Sequence, residues 1–543
     1  MSASEPKAAL VVALPFLCLS LILHGLFYFA NGANAGLVSA YPHSDAQYNF
    51  HKAWVMAYVD SGGGALGEVL PFSPYVSLLA FAFKVLGPEP WVAYLINALA
   101  TCGALLLCVL STYRLFGQKA AIFSGLLFSL CGVFIFFSSL AIKTSFVLFE
   151  VSLFIWLAII FIQQRRLVYG LAALCICVFA SFDRENIIIL AFSLGVFASF
   201  QLRCRFLNPL IKTGVAGCLA IAFVLLARVS VLDFVGDSGL QNSIGVNFIY
   251  GNAPGANGGF MRSYDFEPDL IGSRLGALRY AEHLTGDADD LEKTYQQLYF
   301  QEFWEYYQTR PVEWLVLKLK HLSNLLTAHS LGHPEDYRIW RWHNPASALA
   351  CIDWAVLLSL ACVCLYLRFK EKRYSRCEQF LLLSALLYAV SVLIFFANER
   401  YRFPLYVMIM PFAAEGLRAI LQYRRRAMFA AALVFALGFY LLPTFPEADD
   451  RDSLSKRREE LSSKRQKHAE LYRLYVDYSR GSATRETILP LAKALFRAKL
   501  FPDVLLICEK AAANPCTKIA ERALSGSIWD GKNINIDVSE PLK

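Results

Sequence analysis

Apolar runs of about twenty residues recur along most of the chain, and this recurrence constrains the fold more than any other feature. A run of that length, wound as an α-helix, crosses about 30 Å of hydrocarbon. Inside a bilayer each backbone polar group needs a partner within the protein, which favours helices. The composition agrees, because 57% of the residues are hydrophobic and only 17% are charged. We therefore predict an all-α polytopic membrane protein with about eleven transmembrane helices. The predicted spans are residues 8–30, 91–113, 119–137, 144–163, 167–182, 187–202, 209–230, 348–367, 379–397, 404–420 and 428–443.

Short basic turns between these spans predict the orientation. The turns that would lie on one side are residues 113–119, 163–166, 203–205, 368–376 and 423–426, and each contains Lys or Arg. Because basic loops stay on the cytoplasmic side, we expect the N-terminus inside. The segments predicted outside are 31–90, 138–143, 231–347 and 444–543. The net charge of +8 then reflects topology and does not indicate a nucleic-acid partner.

Two regions of different composition follow from this topology. Residues 1–443 form the predicted transmembrane domain, with long outer loops at 31–90 and 231–347, and residues 444–543 form a small helical C-terminal region on the outer side. Within the first outer loop, an amphipathic segment at 46–60 and a short apolar segment beginning at Pro71 predict helices lying at the membrane interface. The first span is interpreted as a retained helix, because it is too long for a signal-peptide core.

Asp45 is the most informative charged residue, because it follows the first span closely, in a loop predicted outside. A membrane enzyme would hold a base in such a loop to meet a lipid-borne substrate, whereas the alternative is a solvated loop acid. The long outer loops carry many carboxylates, and functional charge is not spread through the bilayer midplane as in transporters. This asymmetry favours an enzyme. Glu150, about two turns into its span, is either functional or paired within the bundle.

Five stretches together resemble one family. They are Asp45-x-x-Tyr48, residues 71–79, residues 120–137 followed by 143–145, the Gly- and Asn-rich stretch 245–258, and Arg-Tyr-Arg-Phe-Pro at 400–404. Their order and predicted side resemble the GT-C superfamily of integral membrane glycosyltransferases over about residues 8–420. The resemblance is to the branch with protein O-mannosyltransferases and the aminoarabinose transferase of lipid A, which use polyprenyl-phosphate sugars. It implies a GT-C-like fold.

The resemblance also implies roles for individual residues. Asp45 would be the general base that accepts the proton of an acceptor hydroxyl. Cationic side chains at outer helix ends would bind the donor phosphate, although Lys and Arg at such ends also snorkel; they are Lys143, Arg184, Arg400 and Arg402. Side chains that would contact the sugar or the acceptor are Tyr48, Asn247 and Asn252, and for the two Asn residues ordinary turn formation is an equal alternative.

The expected activity is transfer of a hexosyl or pentosyl group, with inversion, at the outer face of a bacterial cell membrane. The partners would be a polyprenyl-phosphate-sugar donor, a lipid, glycan or protein acceptor, and membrane lipids. No cofactor is predicted. A divalent metal is the less favoured alternative, since Lys143 stands where some relatives have a metal-binding acid pair. A flippase or transporter of lipids or lipid-linked glycans remains an alternative from another class, and a glycan polymerase or ligase is an alternative enzyme.

Overall fold

The computed structural model describes residues 5–30, 45–59, 72–200, 209–235, 300–301, 303–329, 349–372, 374–423 and 426–443, together with residues 248, 251, 252 and 256. This part of the chain is helical apart from one isolated bridge between Cys131 and Ile352. The helices are α1 (Glu5–Ala30), α2 (Asp45–Tyr58), α3 (Pro74–Leu86), α4 (Pro90–Phe116), α5 (Gln118–Ser129), α6 (Gly132–Ser138), α7 (Thr144–Gln164), α8 (Leu167–Asp183), α9 (Ile189–Ser199), α10 (Pro209–Val235), α11 (Pro311–Leu326), α12 (Trp354–Glu371), α13 (Arg376–Ile394), α14 (Glu399–Tyr423) and α15 (Arg426–Leu441). The all-α polytopic membrane fold is confirmed.

Six of the described helices are long and apolar enough to cross a membrane. The qualifying segments are Ala8–Ala30, Pro90–Phe116, Thr144–Gln164, Thr213–Val231, Arg376–Ile394 and Glu399–Gln422. Shorter apolar helices lie at Pro74–Leu86, Leu167–Asp183, Glu185–Ser199 and Met428–Leu441. The count of about eleven spans therefore stays a prediction. The predicted C-terminal region 444–543 lies outside the described residues. The division of the chain into two domains therefore stays a prediction.

One predicted span, 119–137, is divided into α5 and α6 at Leu130 and Cys131. No proline causes the break. Instead, the extended segment before α12 crosses this point, and the Ile352 amide donates a hydrogen bond to the Leu130 carbonyl at 3.0 Å. A backbone group released from the helix is thus satisfied by another part of the protein, as a membrane interior requires.

Helix α14 lies at the centre of the bundle. It packs against α4, α5, α7, α12 and α13, and its apolar window is 78% buried. Gly416 lets α14 approach α12 closely, because a Cβ at this position would overlap the Leu360 carbonyl. The periphery includes α10, whose apolar window is only 17% buried, as expected for a lipid-facing helix.

Helices α2 and α3 pack together at one end of the bundle. Following the predicted orientation, we term the end that carries Asp45 the outer end and the opposite end the inner end. The short helix predicted after Pro71 is present as α3, which begins with the N-cap Ser73 and ends at Gly87 with φ 89°. The segment predicted at the interface is α2, and it is buried from Ala46 to Val55. It is therefore a helix that packs within the protein.

Candidate functional site

An ion pair between Asp45 and Arg400 joins two helix starts that are 355 residues apart in the sequence. Arg400 Nη1 donates to Asp45 Oδ2 at 2.6 Å, and the two side chains are 19% and 38% exposed respectively. Asp45 lies in the first turn of α2, where a negative charge interacts favourably with the helix dipole. Both charged groups are therefore partly accessible to solvent.

Arg184 supports the turn that carries Arg400. Its guanidinium donates to the Arg400 carbonyl and lies 4.7 Å from the centre of the Tyr401 ring. Proline explains why that carbonyl is open. In an α-helix the Arg400 carbonyl would accept from the amide of residue 404, and Pro404 has no N–H. The Arg184 side chain therefore takes the place of a missing helical hydrogen bond.

Lys143 lies at the N-cap of α7, in the predicted second outer turn. Amides from two neighbouring helices hold this turn, because Asn97 Nδ2 donates to the Leu140 carbonyl at 2.5 Å and Asn49 Nδ2 donates to the Ala141 carbonyl at 3.3 Å. Burial lowers the pKa of Lys143, and the carboxylates of Asp183 and Asp45 act in the opposite direction. The residue is half-buried, and most of its surface is shielded from solvent. Lys143 thus belongs electrostatically to the same end of the bundle as the Asp45–Arg400 pair.

Asp183 anchors α3 to the end of α8. The Ser73 hydroxyl donates to Asp183 Oδ1, and the Tyr75 amide donates to Asp183 Oδ2 at 3.3 Å. A buried carboxylate at a helix N-terminus satisfies donors that the helix leaves open. The sequence alone favours the interpretation that Asp183 neutralises the charge of the adjacent Arg184. The Ser-Pro start of α3 indicates a cap, but nothing in it indicates a partner 110 residues away.

Arg402 lies apart from this site. It is completely buried, and its guanidinium donates to Glu399 Oε2 at 3.1 Å, to the His329 carbonyl at 3.1 Å and to the Asn324 carbonyl. Glu399 also accepts from the Tyr406 hydroxyl at 2.9 Å. Positions i and i+2 on a helix point about 200° apart, so Arg400 and Arg402 face different neighbours. These contacts give Arg402 a role in packing α14 and occupy its guanidinium within the protein.

The residues predicted to contact the sugar or the acceptor do not lie together in one place. Tyr48 is 3% exposed and lies one turn after Asp45 in α2. Asn252 is fully buried, and its amide donates to the Phe248 carbonyl at 2.6 Å and to the Ile394 carbonyl at 2.9 Å, while its oxygen accepts from Lys318. These contacts occupy Asn252 within the fold. Asn247 lies outside the described residues.

Lys318 and His321 on α11 were not singled out by the sequence. Lys318 Nζ donates to the carbonyls of Leu393 and Ile394 at 3.1 and 3.2 Å, where α13 ends. A cation at a helix C-terminus is stabilising. Burial lowers the pKa of Lys318 to about 8, and burial together with Lys318 lowers the pKa of His321 to about 4.

In the described part of the chain no group of three His, Cys, Asp or Glu residues is placed to hold a metal ion.

A family match covers the part of the chain that contributes Lys143, Asp183 and Arg184 to this site. Residues 71–227 match the family described as dolichyl-phosphate-mannose-protein mannosyltransferase. Over this segment, which is less than a third of the chain, the sequence is similar to that mannosyltransferase family. The match agrees with the resemblance inferred from the motifs over residues 71–227. The matched segment contains Lys143, Asp183 and Arg184, whereas Asp45 and Arg400 lie outside it.

Two solved structures illustrate more distant similarity. The archaeal oligosaccharyltransferase AglB from Archaeoglobus fulgidus, in complex with an inhibitory peptide and a dolichol-phosphate, shares 14% identity with a TM-score of 0.40. The match covers 81% of this chain and 56% of that chain, so this chain spans little more than half of the archaeal enzyme. ArnT from Cupriavidus metallidurans bound to undecaprenyl phosphate shares 11% identity with a TM-score of 0.42, covering 95% of this chain and 79% of that chain. No curated protein matches this chain significantly.

Proposed function

We propose that this protein is an inverting glycosyltransferase that moves a sugar from a polyprenyl-phosphate donor to an acceptor hydroxyl. The single observation that carries the proposal is the accessible Asp45–Arg400 pair, which sets a carboxylate and a guanidinium 2.6 Å apart at one end of a membrane bundle. The match of residues 71–227 to a mannosyltransferase family supports the reaction class. The donor sugar would be a hexose or a pentose, and the site would face the outside of a bacterial cell membrane.

In the proposed reaction, donor binding changes the partner of Arg400. The donor phosphate would accept from Arg400 and Lys143, and Arg400 would release the Asp45 carboxylate. Asp45 then accepts the proton of the acceptor hydroxyl, while the acceptor oxygen forms a bond to the anomeric carbon. The bond from that carbon to the phosphate oxygen breaks, and the polyprenyl phosphate leaves with the electron pair. The cations stabilise the charge that develops on this leaving group.

Arg184 would act by positioning Arg400. It supports the backbone of the Arg400 turn, and its charge adds to the positive potential at the phosphate. Tyr48, one turn from Asp45, would limit the space available to the acceptor.

The distribution of charge favours an enzyme over a transporter. Among the described residues of the bundle, charged side chains lie mainly near the outer end and the inner end. Glu150 lies in the second turn of α7 and interacts electrostatically with Asp183 and Lys143. It therefore lies close to the outer end, and a transporter would need polar groups along a route to both ends.

The test uses membranes containing the full chain and radiolabelled polyprenyl-phosphate hexoses and pentoses. We expect Asp45→Asn to lower transfer by about 100-fold or more, the typical contribution of a general base, while donor binding is retained. Arg400→Gln should weaken donor binding. Glu89→Gln provides a matched control, because Glu89 is another acid at a helix start.

Normal transfer by Asp45→Asn at wild-type expression would exclude Asp45 as the base. Absence of transfer from every labelled donor by the wild-type protein, together with movement of the intact donor between leaflets of proteoliposomes, would instead support the flippase alternative. Retained transfer in Glu89→Gln shows that losing an outer carboxylate is not in itself harmful.

A further inference from the structure

A cleft of about 320 Å³ lies at the inner end of the bundle, opposite the Asp45–Arg400 pair. It is formed where α4 and α7 end and α13 begins. We term it the inner cleft, and its lining residues are Arg114, Leu115, Ile162, Gln163, Arg165, Ser375, Arg376 and Cys377. A volume of this size is within the usual range for a small-ligand site.

Three arginines give the inner cleft a positive charge. Arg114 Nη1 donates to Gln163 Oε1 at 3.1 Å, which fixes one guanidinium at the cleft wall. Arg165 caps the end of α7 with a left-handed backbone, φ 60° and ψ 24°, an uncommon conformation for a residue with a side chain. Arg165 and Arg376 are exposed. Arginine side chains that line one cleft suit a phosphate, because a guanidinium donates bidentate hydrogen bonds to phosphate oxygens.

The start of α13 adds to this potential. Ser375 caps the helix by accepting from the Glu378 amide at 3.2 Å, and Ser375, Arg376 and Cys377 all line the cleft. A helix N-terminus carries a partial positive charge. The neighbouring acid, Glu378, is buried and lies 3.8 Å from Arg368, so its charge is offset from the other side.

We propose that the inner cleft binds the phosphate group of an anionic phospholipid in the adjacent leaflet. The apolar side chains of Leu115 and Ile162 share the cleft with the arginines, and this combination suits a headgroup whose acyl chains continue into the bilayer. Basic pockets between membrane helices on the cytoplasmic side bind lipid headgroups in this way. A free phosphate ion offers the same charge, so the test separates the two sources. The site is independent of the proposed transferase reaction.

The test compares lipid retention by the purified full chain in neutral detergent, measured by native mass spectrometry. The probes are phosphatidylglycerol, phosphatidylcholine with the same acyl chains, and inorganic phosphate as a competitor. The double variant Arg165→Gln/Arg376→Gln replaces two charged side chains of the cleft with uncharged polar ones. Arg166→Gln is the matched control, because Arg166 is the adjacent exposed arginine and does not line the cleft.

We expect the double variant to bind phosphatidylglycerol at least about tenfold more weakly than wild type, the effect of losing one strong charge-assisted contact. Arg166→Gln should bind as wild type does, and phosphatidylcholine should bind weakly to all three proteins. Displacement of the lipid by millimolar inorganic phosphate would assign the site to free phosphate instead of lipid. Equal phosphatidylglycerol binding by all three proteins would overturn the proposal and leave the arginines with a topological role only. Equal melting temperatures of the three proteins exclude misfolding as the cause of weaker binding.

Discussion

Arg402→Leu is the substitution that most directly separates structure from function in this protein. The change removes a guanidinium that is 0% exposed and leaves Glu399, 3% exposed, without its cation. It also removes the donors to the carbonyls of Asn324 and His329. Breaking a buried ion pair in this way costs about 3–5 kcal/mol, because an uncompensated charge stays in the interior. We expect the free energy of unfolding to fall by about that amount.

Two further variants resolve the cause of this loss. The double variant Glu399→Gln/Arg402→Leu removes the buried charge and keeps an acceptor for the Tyr406 hydroxyl, so it should recover part of the loss. Arg400→Leu, two residues away and partly exposed, should cost less than about 1 kcal/mol and weaken donor binding.

The assay is reversible unfolding in mixed micelles by sodium dodecyl sulfate, followed by tryptophan fluorescence. Donor binding is measured on the same preparations with a labelled polyprenyl-phosphate sugar. Wild-type stability in Arg402→Leu, combined with loss of donor binding, would refute the packing role. It would also return Arg402 to the phosphate-binding group predicted from the sequence.

Three further outcomes follow from the contacts near the site. Pro404→Ala supplies an amide for the Arg400 carbonyl and competes with Arg184, so we expect weaker donor binding at unchanged or higher thermal stability; unchanged binding would contradict the positioning role of Arg184. Because burial lowers the pKa of Lys143, its ammonium loses its proton at a lower pH than a free lysine, and donor affinity should fall at alkaline pH earlier in wild type than in Lys143→Arg. Identical pH profiles would exclude Lys143 from phosphate binding. The pKa of His321 is lowered from 6.5 to about 4, so the unfolded chain binds the extra proton between these values and stability should decline as pH falls through that window, by about 3 kcal/mol in total. His321→Gln should flatten this decline in unfolding experiments at pH 4 to 7, and an unaltered slope would contradict it.

The sequence could predict the class of fold because hydropathy is local. Runs of apolar residues, basic turns and the Ser-Pro start of α3 each depend on neighbours in the chain. The alternation of spans also predicted which residues share an end of the bundle. Asp45 and Arg400 were expected on the same side, and the structure places them in direct contact.

Helix boundaries were less predictable, and one of them changed the site. Residues 397–404 read as a turn before a helix at Pro404, whereas α14 already begins at Glu399. Because Arg400 and Arg402 both lie in a helix, their side chains point about 200° apart and contact different parts of the protein. Pro404 was the available signal, because a proline four residues after Arg400 leaves the Arg400 carbonyl without a helical donor.

By itself, the sequence determined that this chain is a helical membrane protein with two chemically distinct ends, because hydrophobic length and loop charge are fixed residue by residue. Tertiary structure alone decided which charges meet. Asp183 anchors Ser73, Arg184 supports Arg400, and Arg402 is used in the core. Pairings of this kind depend on packing between helices far apart in sequence, and small residues such as Gly416 set how closely those helices approach.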